Sequence, residues 1–174
     1  MAATERQILI DAPPESVFAY LADLSRHPEW AAHDLHVEQT SEGPVGVGTT
    51  FTSVGHQMGR DNENKVSVVE FVANERIAYE SQFDANRMRN YFLLEQENGG
   101  TRLTKGADPL ELHFPASVLF PMLRMMGQVG SGLDGDLRRI KAKLEEGAPV
   151  PDQPATPEEE APESGESSPE AKQE

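Results

Sequence analysis

The feature that most restricts this chain is the stretch from Gly48 to Leu112, where runs rich in Thr, Val, Ile, Phe and Tyr follow one another with few residues between them. Thr49 to His56, Lys65 to Val72, Arg76 to Phe83, Met88 to Gln96 and Thr101 to Leu112 each read as a strand, because β-branched and aromatic side chains suit a pleated, half-buried surface. Asn98-Gly99-Gly100 supplies the positive φ angles that a tight hairpin demands. Asn74-Glu75 and Asp84-Ala85-Asn86 read as turns in the same way. Parallel neighbours need a crossover of about a dozen residues or more, so connections this short dictate an antiparallel meander.

The flanks add helices. Glu5 to Asp11 reads as a first strand, with Ile8 and Ile10 in alternation, and Pro13-Pro14 ends it. Pro14 suits a first helical turn and Glu15 favours its positive end, while Val17, Phe18, Leu21 and Leu24 recur at helical spacing. Ser25 is the expected cap of a second short helix carrying Pro28, Glu29 and Trp30, and Leu35 to Thr40 alternates like a strand. After the meander, Leu133, Leu137, Ile140 and Leu144 draw one apolar stripe along a helix spanning Pro115 to Glu146, with Gly147 as its stop. Gly127, Gly130, Gly132 and Gly135 predict a bend or break in its middle. The fold class is therefore α+β.

Only 37% of the 174 residues are apolar, and the deficit is local. From Ala148 onward the chain is dominated by Pro, Glu, Ser, Ala and Gln, has no aromatic residue and Val150 as its only branched aliphatic, and cannot offset its ordering entropy by burial. This predicts a folded domain over 1–147 and a disordered acidic tail over 148–174, a solubilising appendage or a docking segment for a basic partner. The tail holds eight acids and one base, so about half of the net charge of −15 lies there. With no basic patch to offset that charge, nucleic acid is excluded as a partner. The absence of cysteine excludes disulfides, thiolate metal sites and a cysteine nucleophile within this chain. No basic segment followed by an apolar run opens the sequence, and Phe114 to Met126 is too short to span a bilayer, so a cytoplasmic location is expected. Oligomeric state is left open.

Motifs for familiar chemistry are absent. Gly43, Gly46 and Gly48 lack the spacing of a dinucleotide or phosphate loop and read as a connection between strands. His27, His33, His36, His56 and His113 show no metal-ligand spacing, so neither a metal nor a cofactor is expected. Ser16, Ser53 and Ser117 lack a nucleophile-elbow context.

At residue level the sequence resembles the polyketide cyclase/dehydrase-like branch of the START/Bet v 1-like (SRPBCC) superfamily over residues 5–146. The resemblance is carried by Ile8-Leu9-Ile10-Asp11-Ala12-Pro13-Pro14-Glu15-Ser16-Val17-Phe18, by His27-Pro28-Glu29-Trp30, and by Gly43-Pro44-Val45-Gly46-Val47-Gly48-Thr49. Val69-Glu70-Phe71, Arg76-Ile77-Ala78-Tyr79 and Leu137-Arg138-Arg139-Ile140-Lys141 continue it. It implies a helix-grip (Bet v 1-like) fold, a curved antiparallel sheet around a long C-terminal helix, with an apolar cavity between them. The implied function is binding of a small hydrophobic molecule, a lipid, polyketide or aromatic metabolite, by Trp30, Phe51, Tyr79, Phe92, Met122 and Met126. Met125 belongs to the same adaptable thioether cluster. The alternative is a polyketide cyclase, aromatase or dehydratase. That enzyme needs a proton-transfer group and a carbonyl donor, for which Arg89, Tyr79, His56 and His113 are the candidates, with Glu70 and Asp84 as carboxylates. A third reading is an interaction module like the chaperone-activating relatives of the superfamily.

Overall fold

A computed structural model describes residues 3–32, 35–57 and 60–146, with the backbone alone for His56, Gln57 and Arg60. The expected acidic tail lies outside the described residues. The element order is β1 (Thr4–Ile10), α1 (Pro14–Ala22), a 3-10 helix (Leu24–Glu29), β2 (Leu35–Gln39), β3 (Thr50–Gln57), β4 (Arg60–Val72), β5 (Arg76–Phe83), β6 (Asn86–Glu97), β7 (Gly100–Glu111), α2 (Ala116–Met125) and α3 (Gln128–Glu145). All seven strands form one antiparallel sheet in the order β1-β7-β6-β5-β4-β3-β2. This is the helix-grip fold that the resemblance implies: the meander runs down the sheet, β1 closes its far edge, and α3 packs across β1 and β7.

Turn chemistry sets the register. Asn98 (φ 51°) and Gly99 (φ 86°) form a two-residue hairpin, so Glu97 faces Gly100 and Phe92 faces Lys105. Asn74 (φ 63°) and Asp84 (φ 50°) accept positive φ in the two preceding turns. A bulge at Val69 shifts the pairing of β4 with β5.

The core joins Ile10, Val17, Leu21, Leu103, Leu137 and Ile140, each almost wholly buried. It gathers the apolar stripe of α1, the inner face of the sheet and the stripe of α3. Polar contacts fix the register of α3 on β1: Lys141 donates to the Leu9 carbonyl (2.8 Å), and the Glu145 carboxylate accepts the Asp11 N–H (2.7 Å).

Three expectations shift. Ser25 is not the cap; the Asp23 carboxylate accepts the Ser25 N–H at 3.2 Å, because a carboxylate two residues earlier reaches the free N–H groups at the start of the turn. β4 begins at Arg60 instead of Lys65, since backbone pairing with β3 organises a segment that has no apolar alternation. The C-terminal helix breaks at one glycine, Gly127 (φ 74°), while Gly130, Gly132 and Gly135 are helical. The two pieces differ. α3 buries Leu133, Leu137 and Ile140, whereas no residue of α2 is buried.

Candidate functional site

Between the inner face of the sheet, the 3-10 helix and α3 lies a cavity of about 230 Å³. Leu24, Leu35, Val37 and Val66 give it apolar wall, while Ser53, Asn64, Tyr79, Ser81 and Asn90 present hydroxyl and amide groups. Strand alternation puts them there. Tyr79 and Ser81 share one face of β5 with the buried Ile77, and Asn90 shares a face of β6 with Phe92 and Leu94. Among the described residues, none of these five side chains takes a protein hydrogen-bond partner, so their polar groups are open to whatever fills the cavity.

At one end stands Lys105 of β7, whose side chain is only 6% exposed. Its ammonium donates to the Asp136 carboxylate on α3 and sits 4.6 Å from the centre of the Trp30 ring and 5.6 Å from that of Phe92. The two rings meet edge to face at 5.8 Å. His27, also at the cavity, stacks on the other part of this cluster, 4.0 Å from Trp30 and nearly parallel to it. Asp136 carries a second cation, because Arg139 donates to its other oxygen at 2.7 Å. Arg139 also donates to the Trp30 carbonyl at 2.7 Å, tying the 3-10 helix to α3.

The electrostatics follow from burial. Removal from water pushes the Lys105 ammonium below the ordinary lysine range, against the opposing pull of Asp136. Burial pushes the Tyr79 phenol up, and the Asp136 charge adds to that rise. Buried charges persist only when paired and hydrogen-bonded, and the aromatic faces of Trp30 and Phe92 supply further attraction for the cation.

The residues named from sequence divide between several places. Tyr79 lines the cavity, and Trp30, Phe51 and Phe92 are buried in the adjoining core, Trp30 and Phe92 as the seat of Lys105. Met122 stands on the exposed α2 and Met126 caps its C-terminal end, both away from the cavity walls, with Met125 84% exposed. Arg89 lies on the outer face of the sheet beside Glu70, Arg76, Tyr91 and Asp108, because it alternates with Asn90. Asp84 sits in the exposed turn after β5. His113 follows β7 on the surface, paired with Glu111 at 3.0 Å. The His56 side chain lies outside the described residues. Arg89, Tyr79 and His113 therefore do not converge, so the expected grouping of a carbonyl donor, a phenol and that histidine is absent. The histidine at the cavity is His27, and no grouping of three or more metal-ligating side chains occurs among the described residues.

Lys105 and Asp136 are the pair that sequence reading missed. The signal was present. Lys105 occupies the inward position between Leu103 and Ala107 in a strand whose alternate residues are buried, and Asp136 falls on the apolar stripe of α3 between Leu133 and Leu137.

The sequence profile of the Activator of Hsp90 ATPase homolog 1-like proteins matches residues 11–116. The chain belongs to that family. Its fold places it in the START/Bet v 1-like superfamily, as its residues suggested. TTHA0849 from Thermus thermophilus is similar with a TM-score of 0.64 and 19% identity, over 84% of this chain and 99% of that one. Ara h 8.0201 is similar with a TM-score of 0.60 and 14% identity, over 83% and 98%. DynU16, a protein of the dynemicin biosynthetic locus, is similar with a TM-score of 0.58 and 17% identity, over 84% of this chain and 48% of that one. At these identities the similarity concerns the fold. No curated protein matches the chain. Among the described residues, no helix of this family member is long and apolar enough to cross a membrane.

Proposed function

We propose that residues 1–147 of this family member form a binding domain for one small, largely hydrophobic molecule held in the cavity between the sheet, the 3-10 helix and α3. The observation that supports this is the cavity itself, whose apolar walls are interrupted by hydroxyl and amide groups that take no hydrogen-bond partner among the described residues. Apolar burial supplies most of the affinity of such a site, and a few polar groups orient the guest. A volume of about 230 Å³ holds a compact molecule rather than a long-chain lipid. Native mass spectrometry of the full chain purified gently from its host tests the reading. A stoichiometric organic adduct, released on denaturation and competed away by filling the cavity through Ser81→Phe, is expected; an adduct that Ser81→Phe leaves in place refutes this site.

The second reading is an interaction role, which the family match favours: the chain stimulates the ATPase of an Hsp90-type chaperone. Addition of the full chain to such a chaperone from its own host checks this directly, and an unchanged rate rejects it. The scattering of Arg89, Tyr79 and His113 counts against those residues as the machinery of a cyclase.

A further inference from the structure

Resting on that cavity reading, we propose that Lys105 anchors an anionic head group, so that the molecule bound is a compact hydrophobic monocarboxylate. The inference starts from a charge count at the wall. Two cations, Lys105 at the wall and the 40% exposed Arg139 outside it, share one carboxylate, Asp136, and among the described residues no other acidic side chain lines the cavity. The cluster therefore holds one positive charge in excess. Among the described residues Asp136 is the hydrogen-bond acceptor of Lys105; its remaining N–H groups face the Trp30 and Phe92 rings and the cavity.

A carboxylate brought to that point neutralises the excess and completes the donor set of Lys105. Charge-assisted hydrogen bonds of this kind are roughly twice as strong as neutral ones. Among the described residues the remaining polar lining consists of His27, Ser53, Asn64, Tyr79, Ser81 and Asn90, none of which brings a negative charge to oppose a carboxylate. Leu24, Leu35, Val37 and Val66 accommodate the apolar body. An ammonium or metal cation as guest is disfavoured by the same excess. The overall charge of −15 does not oppose this, because exposed charges are screened beyond about 8 Å at physiological ionic strength whereas the cavity pair is not.

Trp30 is the single tryptophan and touches the Lys105 ammonium, so its emission reports the site. The full chain is titrated with cyclohexanecarboxylate and octanoate and with their primary amides, none of which absorbs in the tryptophan band. The carboxylates are expected to bind about tenfold more tightly than the amides. Lys105→Met, which leaves Asp136 its Arg139 partner, is expected to abolish that preference. Asp136→Asn frees Lys105 from its competing carboxylate, and is expected to keep or strengthen carboxylate binding; a merely structural pair would instead lose carboxylate and amide alike in both variants. Equal binding of carboxylates and amides by the unmodified chain overturns the anionic assignment while leaving the cavity reading standing. Binding of neither class overturns both. The contrast within the unmodified chain and the Asp136→Asn titration decide the matter even where Lys105→Met does not fold.

Discussion

The two faces of the one sheet each carry pairs of a basic and an acidic side chain, under opposite physical conditions. On the outer face Arg76 reaches Glu70 at 2.8 Å and Arg87 reaches Glu80 at 2.7 Å, with the arginines nearly half exposed. On the inner face Lys105 and Asp136 are 6% and 16% exposed. Distance does not separate these pairs, but water does. An exposed pair contributes about 0–1 kcal/mol, since solvent screens it and two long side chains lose freedom. A buried pair costs several kcal/mol per ion to desolvate, and breaking it leaves one charge stranded. The outer pairs are consistent with solubility and register, whereas the inner one concentrates electrostatic strength beside the cavity.

The largest test of this contrast is Asp136→Leu, which strands Lys105. It is expected to lower stability by about 3–5 kcal/mol in denaturant unfolding. Lys105→Met with Asp136→Leu is expected to recover much of that loss, and a double variant whose loss equals the sum of the two single losses would show that the residues act independently. Next comes Ile140→Ala, which opens a cavity in the fully buried contact of α3 and is expected to cost about 2–5 kcal/mol, against less than about 0.5 kcal/mol for Met125→Ala on the exposed α2. Comparable losses from the two would contradict the assignment of α3 as the gripped helix.

The pH dependence has two opposite signs. The Tyr79 and Tyr20 phenols titrate above their ordinary value and Tyr91 is pushed up to about 12, first by burial and then, for Tyr91, by its hydrogen bond to Glu5. The unfolded tyrosines release protons near pH 10 while the folded ones keep them, so stability falls as pH rises above 10. Tyr79→Phe is expected to reduce that slope by about 1.4 kcal/mol per pH unit. Lys105 acts in reverse: its folded value lies below the unfolded 10.5, so between the two the folded state holds fewer protons and this lysine makes stability rise with pH. Lys105→Met is expected to remove the rise below pH 10 and leave the tyrosine decline above it. Thermal unfolding across pH 8–12 measures both. The smallest effect is expected from Arg87→Ala, within about 1 kcal/mol because its partner on the outer face is solvated.

Much of the fold was legible because it follows local rules. Asn98-Gly99 specifies a tight hairpin whatever surrounds it, and the spacing of Leu133, Leu137 and Ile140 specifies a helix face. The cap at Asp23 and the start of β4 were read less well, since one depends on competition between neighbouring side chains and the other on a partner strand. For the site, alternation along β5 sets Tyr79 and Ser81 on one face with Ile77 and leaves open whether that face is inner. Arg89 and Asn90 adjoin in sequence yet face opposite sides, and alternation alone does not say which side is inner. Met122 and Met126 resemble core residues by spacing, but the break at Gly127 carries their helix off the sheet.

By itself the sequence determined the strand meander, the hairpin turns, the two amphipathic helices and the acidic balance, because each depends on residues within a few positions of one another. Only the tertiary structure decided which face of the sheet is inner and that Lys105 meets Asp136, 31 residues further on, beneath Trp30. That decision is collective. A buried lysine is tolerable only where a carboxylate, two aromatic faces and a cavity arrive from four different elements, and no local pattern encodes their meeting.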